Sequence, residues 1–180
     1  MNFTQSSHFV GLINLPNTAS SYPYEGANLV LDTTTYESIY LSKIFGYKMA
    51  KDFIAAMLVV TPPTSGIWFD LANGKEFTDS NGNLNKWLGF KTIGFNPIAN
   101  YVYDQIVRNN VTHMTGLGTQ KPNIANNTAA SPRSKLTTAW NQMVEFNWTL
   151  HEFIEANKAS YPDYLGITDA NRDLYNYITF

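Results

Sequence analysis

The longest helical pattern in the chain runs from Ser131 to Asn157 and constrains the fold more than any other feature. Ser131 suits a helix cap, and Pro132 suits the first helical position because its missing N–H would have no partner there. Mostly apolar side chains then recur at steps of three and four, as on the buried side of a helix. They are Leu136, Ala139, Trp140, Met143, Phe146, Asn147, Leu150, Phe153 and Ile154. A face this wide predicts the central wall of a helical core.

Three shorter helices are predicted upstream, over residues 33–45, 47–59 and 97–109. Asp32 or Thr33 can cap the first helix, and Gly46 follows it where a left-handed residue commonly ends a helix. Pro62 and Pro63 stop the second helix, and Asn96 followed by proline opens the third. The chain is therefore expected to be mainly α, as a bundle of about four helices.

A small β-hairpin is predicted inside the segment 61–94, between the second and third helices. Residues 75–78 and 84–90 flank Asp79-Ser80-Asn81-Gly82, which has the composition of a hairpin turn. Trp68 and Trp87 lie beside the turns, where aromatic rings can stack on sugars. The competing interpretation is that both tryptophans pack beneath a hairpin too small to bury itself.

The remaining segments are predicted to be irregular. Residues 1–28 are interpreted as an extended N-terminal arm, 29–160 as the helical domain, and 161–180 as a C-terminal docking tail. A loop at 112–130 contains Gly116, Gly118 and Pro122. Loops of this length are usually functional or disordered. Its Gly-rich run follows a helix and lacks the second half of either nucleotide-binding fingerprint, which argues against a phosphate loop.

Composition indicates either a protein whose surface is covered by partners or a merely neutral monomer. Charged residues make up 14% of the chain, against about 25% in average globular domains, whereas 14% are aromatic. Interfaces lose Lys, Glu and Asp and gain Tyr, Trp and Phe. A net charge of -2 gives no basic stripe for nucleic acid. Without cysteine or a long apolar run, we expect no disulfide, no leader and no membrane span.

Catalytic and metal-binding patterns are weak. His8, His113 and His151 lie on three different predicted elements and lack metal-binding spacing. The chain has no GxSxG nucleophile motif, and no carboxylate pair stands out. We therefore expect neither an enzyme nor a metal or cofactor site.

Seven blocks, in this order and spacing, resemble a family of structural proteins from tailed phages of Bacteroidota, including crAss-like phages. The blocks are YESIYLSKIFGY (36–47), Trp68 with LANGKEF (71–77), KWLGF (86–90), NPIANYVY (96–103), THMTGLG (112–118), AWNQMV (139–144) and FIEAN (153–157). In their order and spacing, the resemblance covers roughly residues 8 to 165. The family comprises head-to-tail connector, or adaptor, proteins of the virion neck.

The resemblance implies a helical bundle assembled as a ring, in about twelve copies, on the portal protein and in contact with other neck or tail proteins. The protein would be made in the host cytoplasm and reside in the virion neck, with DNA only passing through the ring lumen. The alternative function is a tail-associated carbohydrate- or receptor-binding component that uses Trp68, Trp87 and surface tyrosines.

An interface with the portal or a neighbouring subunit is predicted on the long loop and the tail. The residues assigned to it are Thr112, Gly116, Gly118, Pro122, Tyr164, Leu174, Tyr175, Tyr177 and Phe180. Thr168 could cap a short tail helix that reaches Tyr177 and docks in a neighbour's groove. The competing interpretation is that the tail folds back on its own bundle.

Overall fold

The computed structural model describes residues 3–15, 23–111, 113–115, 118–120 and 133–178, with the side chains of 23–32 and 110–120 excepted. The chain is mainly helical with small antiparallel sheets, which confirms the predicted fold class. The five helices of the described residues are α1 (Pro23–Phe45), α2 (Tyr47–Met57), α3 (Ile67–Asn73), α4 (Pro97–Val111) and α5 (Arg133–Ala156). Within the described residues, no helix has both the length and the apolar character needed to cross a bilayer.

Helices α4 and α5 form the centre of the bundle. The side-chain amide of Asn100 on α4 donates to the carbonyl of Ala139 (3.0 Å) and to the Gln142 Oε1 (3.1 Å) on α5. Helix α1 packs on α4, where the rings of Tyr40 and Tyr101 lie 5.5 Å apart. The predicted face of α5 is buried from Ala139 to Ile154, except that Trp140 and Phe146 are only half-buried. Its predicted cap, Ser131 with Pro132, lies outside the described residues.

The predicted hairpin is present, as β1 (Lys75–Thr78) and β2 (Leu84–Trp87) paired antiparallel with Phe77 opposite Asn85. The Asp79 carboxylate shapes its turn by accepting the backbone N–H groups of Asn81 (2.8 Å) and Asn83 (2.9 Å). Gly89 has a φ of +85°, and a Cβ there would lie 2.4 Å from the backbone carbon of Asn73. The hairpin therefore closes tightly on the end of α3.

The N-terminal segment is not the extended arm that the sequence predicted. Residues 3–15 contain two short 3-10 turns and bury Phe3, Phe9 and Ile13 in the core. The Phe3 ring stacks on Phe53 at 4.7 Å. Helix α1 begins at Pro23, well before the predicted cap at 32–33. The prediction was wrong because three apolar side chains in a short segment stabilise it most when they pack on the domain itself.

The C-terminal segment also packs on its own domain rather than forming a separate tail. Tyr161, Tyr164, Leu174 and Tyr175 are buried, and the Trp140 Nε1–H donates to the carbonyl of Asn176 at 3.0 Å. In place of the predicted helix from Thr168 to Tyr177, only Arg172–Tyr175 forms a 3-10 turn. The predicted helix does not form because the Asn171 side chain bonds to the nearby backbone at Gly166 and Thr168 and stabilises a turn instead.

The long loop contains a second small sheet, which the sequence did not predict. Strands β3 (His113–Thr115) and β4 (Gly118–Gln120) pair antiparallel, with His113 opposite Gln120. Gly118 therefore lies in a strand opposite Thr115. The predicted interface residues Thr112, Gly116, Pro122 and Phe180 lie outside the described residues.

Candidate interaction surface

A groove runs between α1 and the C-terminal segment, and we call it the α1 groove. Its walls include Ile39 and Ser42 from α1, Gly46 from the α1–α2 junction, and Leu165, Ala170 and Asn171 from the C-terminal segment. Its volume is about 470 Å³. Ile39 is partly exposed, and Leu165 keeps 71% of its surface in solvent. The groove thus presents apolar side chains in an open concave surface.

Local hydrogen bonds explain why the C-terminal wall of the α1 groove has this shape. The Asn171 side chain is buried, where its Oδ1 accepts the Thr168 N–H at 2.7 Å and its Nδ2 donates to the Gly166 carbonyl at 3.0 Å. Gly166 has a φ of +72°, which glycine adopts without the strain a side chain would add. Together they fold residues 166–171 into a turn that places Leu165 beside Gly46.

The charged side chains near the α1 groove are paired within the chain. The Lys43 Nζ lies 3.1 Å from the Asp173 carboxylate, and Lys48 pairs with Asp163. Exposed pairs of this kind contribute little to stability, but they leave the rim nearly neutral. A partner that covers this surface need not supply a counter-charge.

A second apolar surface lies at the other end of α2. Residues 58–66 leave the helix as a loop, which we call the valine loop, and Val60 within it is 103% exposed. Val59 and the nearby Ile93 are also exposed. Pro62 and Pro63 restrict the backbone of this loop, since each proline fixes its own φ. A third apolar feature is the pair of exposed Phe95 and half-buried Phe146, with ring centroids 5.9 Å apart.

Four predicted interface residues can be placed on the C-terminal segment, and three of them are not available to a partner. Leu174 is fully buried, and Tyr164 and Tyr175 are nearly so, with their hydroxyl oxygens 3.2 Å apart. The Tyr164 hydroxyl also lies 3.0 Å from the His151 Nδ1. Tyr177 is 53% exposed and remains accessible. The prediction was wrong for Tyr164, Leu174 and Tyr175 because their apolar surface covers α5 of the same chain.

Ionisable groups near these contacts are perturbed by burial. Desolvation lowers the pKa of His151 below its usual value of 6.5 and raises the pKa of Tyr164 to about 12. Elsewhere, burial raises the pKa of Glu37 to about 7, although its carboxylate accepts the Thr4 N–H at 2.9 Å. Glu37 contacts the N-terminal segment, whereas His151 and Tyr164 contact each other.

Asp104 on α4 is a buried carboxylate with one oxygen bound. Its Oδ2 accepts the Arg108 Nε–H at 2.7 Å, whereas its Oδ1 has no hydrogen-bond partner among the described residues. An unpaired buried oxygen of this kind costs stability. Since it is sealed from solvent, Asp104 is a feature of the core rather than of the surface.

The two tryptophans proposed as a sugar platform are packed. Trp87 is 2% exposed, its Nε1–H donates to the Leu71 carbonyl at 2.8 Å, and its ring meets Phe90 edge-on. Trp68 is half-buried and lies against Phe53 and Tyr161. The competing prediction, packing beneath the hairpin, describes their placement. A carbohydrate site would need other residues.

Within the described ranges, His, Asp and Glu side chains form no group of three that could hold a metal ion. The sequence did not predict the α1 groove because its walls lie far apart in the chain and their residue types follow no distinctive spacing. The local signal in the sequence was the pair of glycines at 46 and 166, which mark sharp changes of chain direction.

Comparison with protein-family models, curated proteins and solved structures gives no match for the chain.

Proposed function

We propose that this protein is a non-enzymatic subunit of the neck of a tailed phage, forming a ring that connects the portal to the tail. The observation that carries the proposal is the number of large apolar side chains left exposed on a chain with few charges. They are Val10, Ile39, Tyr47, Val59, Val60, Ile67, Leu84, Ile93, Phe95, Trp148, Leu165 and Tyr177.

Scattered apolar side chains are normal on a monomer, but here several are grouped. Ile39 and Leu165 share the α1 groove, and Val59 and Val60 share the valine loop. Grouped apolar side chains on a surface mark interaction sites. A subunit of a closed ring needs two different contact surfaces, one for each neighbour, as well as a surface for the next component.

The proposal of a ring in the phage neck rests on the resemblance of seven sequence blocks to head-to-tail connector proteins. The helical fold agrees with that expectation, since connector domains of the resembled family are helical bundles. The alternative, a carbohydrate-binding tail component, loses the two tryptophans on which it was based because Trp87 is buried and Trp68 is packed.

The test combines the purified protein with the portal protein encoded in the same genome. Mass photometry and negative-stain images should show rings of the protein alone or rings seated on the portal. A control mixture replaces the portal with an unrelated phage capsid protein. A protein that stays monomeric with its portal, and that is missing from purified particles by mass spectrometry, would contradict the proposal.

A further inference from the structure

We infer that the valine loop of one copy seats in the α1 groove of a second copy, so that successive subunits join head to tail. The inference rests on the proposed function, because it names the contact between neighbouring subunits of the ring. It identifies the occupant of the groove as a segment of this same chain.

The two surfaces cannot meet within one molecule. Gly46, at the N-terminal end of α2, lines the groove, and the valine loop begins after Met57, at the other end of the helix. Eleven residues of helix hold the two ends about 16 Å apart. Four buried side chains fix α2 to the core, so the helix cannot bend the loop back. The loop could therefore reach an α1 groove only in another molecule.

The two surfaces match in charge. Residues 58–66 contain no ionisable side chain. The single ionisable residue lining the groove, Lys43, is paired with Asp173. Contact between them would bury apolar surface without removing an unpaired charge from water, which is the costly step in covering ions. By contrast, the pocket beside Phe95 and Phe146 is lined by Lys86 and Glu145, so it suits a charged partner instead.

The shape of the loop also favours insertion. Val60 projects fully into solvent, beside Val59, which is 44% exposed, and a groove of about 470 Å³ is large enough to take several side chains. Pro62 and Pro63 limit the conformations of the free loop, so that less conformational entropy is lost on binding. Each copy carries one loop and one groove on different faces. Such a contact is heterologous and closes into a ring when the rotation between copies allows it.

Cysteine trapping provides a direct test, since the chain has no cysteine of its own. Val60→Cys and Leu165→Cys are both exposed substitutions, and equimolar mixing with an oxidant or a short bismaleimide should give a covalent dimer. The double variant should give a ladder of higher oligomers. Glu152→Cys, exposed on α5, mixed with Leu165→Cys is the control and should give only background.

A second pair of variants tests the direction of the contact. Val60→Asp keeps an intact groove and Leu165→Asp keeps an intact loop, so each alone should stay monomeric while the mixture forms dimers that grow no further. Circular dichroism should show the same helicity in both variants as in the wild type. Mixtures that remain monomeric would overturn the inference.

The two proposals fail in different ways. If the wild type forms rings while the Val60→Cys and Leu165→Cys pair traps no more dimer than the control pair, the loop-in-groove contact is wrong and the ring remains. If trapping succeeds but the protein neither binds its portal nor occurs in particles, the contact is right and the neck function is wrong.

Discussion

Asn147 on α5 donates a hydrogen bond of 2.7 Å from its Nδ2 to the carbonyl oxygen of Leu174, while its Oδ1 accepts the hydroxyl of Tyr40. One buried side chain therefore joins the central helix, α1 and the C-terminal segment. Asn147→Ala would leave two buried polar groups without a partner. We expect the free energy of unfolding to fall by about 2–5 kcal/mol.

Urea denaturation of Asn147→Ala checks this expectation, with Glu152→Ala as the control on the same helix. Glu152 is exposed, so its substitution should change the free energy of unfolding by less than about 0.5 kcal/mol. Equal midpoints for the two variants would show that the Asn147 contacts do not hold the segment in solution.

Deletion of residues 167–180 should destabilise the isolated domain. The deletion removes Leu174, which is fully buried, and Tyr175, which is 4% exposed. Loss of Leu174 alone leaves a cavity worth about 3 kcal/mol, and the melting temperature should fall by roughly 10 °C or more. The sequence-based hypothesis of a free docking tail predicts the opposite, an unchanged melting temperature with loss of assembly. Differential scanning calorimetry of the truncated and complete chains distinguishes them.

Glu37 should make the protein less stable as the pH rises. Its pKa is about 7 in the folded state and 4.5 as the ordinary value, because burial disfavours the carboxylate. Between these values the folded state binds more protons than the unfolded state, so stability falls as the pH increases through this window. Glu37→Gln keeps an oxygen that can accept the Thr4 N–H but does not titrate. It should match the wild type at pH 4 and exceed it at pH 8 by up to about 3 kcal/mol.

His151 should have the opposite effect. Burial lowers its pKa below 6.5, against the opposing influence of Glu155 and Glu152. The unfolded state then binds more protons than the folded state. The free energy of unfolding therefore decreases as the pH falls below about 6.5. His151→Asn offers Tyr164 an uncharged acceptor and should flatten this acid-side loss. Thermal melts of both chains from pH 5 to pH 8 measure it, and parallel curves would contradict it.

Trp87→Ala should be more destabilising than Trp140→Ala. Trp87 is 2% exposed and its indole N–H is bonded inside the core, so the substitution should cost about 3–5 kcal/mol. Trp140 is only half-buried, so its removal exposes less apolar surface and breaks the hydrogen bond to the Asn176 carbonyl. Chemical denaturation gives both values. If Trp87→Ala instead lost glycan binding at unchanged stability, the packed placement of this ring would be wrong.

Helices were predictable because their signals are local. Gly46 separates α1 from α2 where the sequence placed a helix end, and Pro97 opens α4 as expected. The buried face of α5 followed from its spacing, including the polar Asn147. Helix α3 was missed because seven residues are too few to show a helical period.

The partners of the two chain ends could not be predicted. Phe3 and Leu174 are apolar residues in short irregular segments, and their sequence says only that they prefer to be buried. Whether they bury against their own domain or a neighbour depends on distant residues, such as Phe53 for Phe3 and Asn147 for Leu174. The α1 groove was unpredictable for the same reason, since it forms only where α1 and the C-terminal segment come together.

The α1 groove also limits when a copy becomes competent to bind. One wall contains Ile39 and the other contains Leu165 and Asn171, so the second wall is synthesised well after the first. During translation a nascent chain can fold α1 without exposing a complete groove. A prematurely terminated copy would likewise lack the second wall. The order of synthesis thus acts as a checkpoint, because a copy that still lacks residues 165–171 cannot receive a neighbour through this surface.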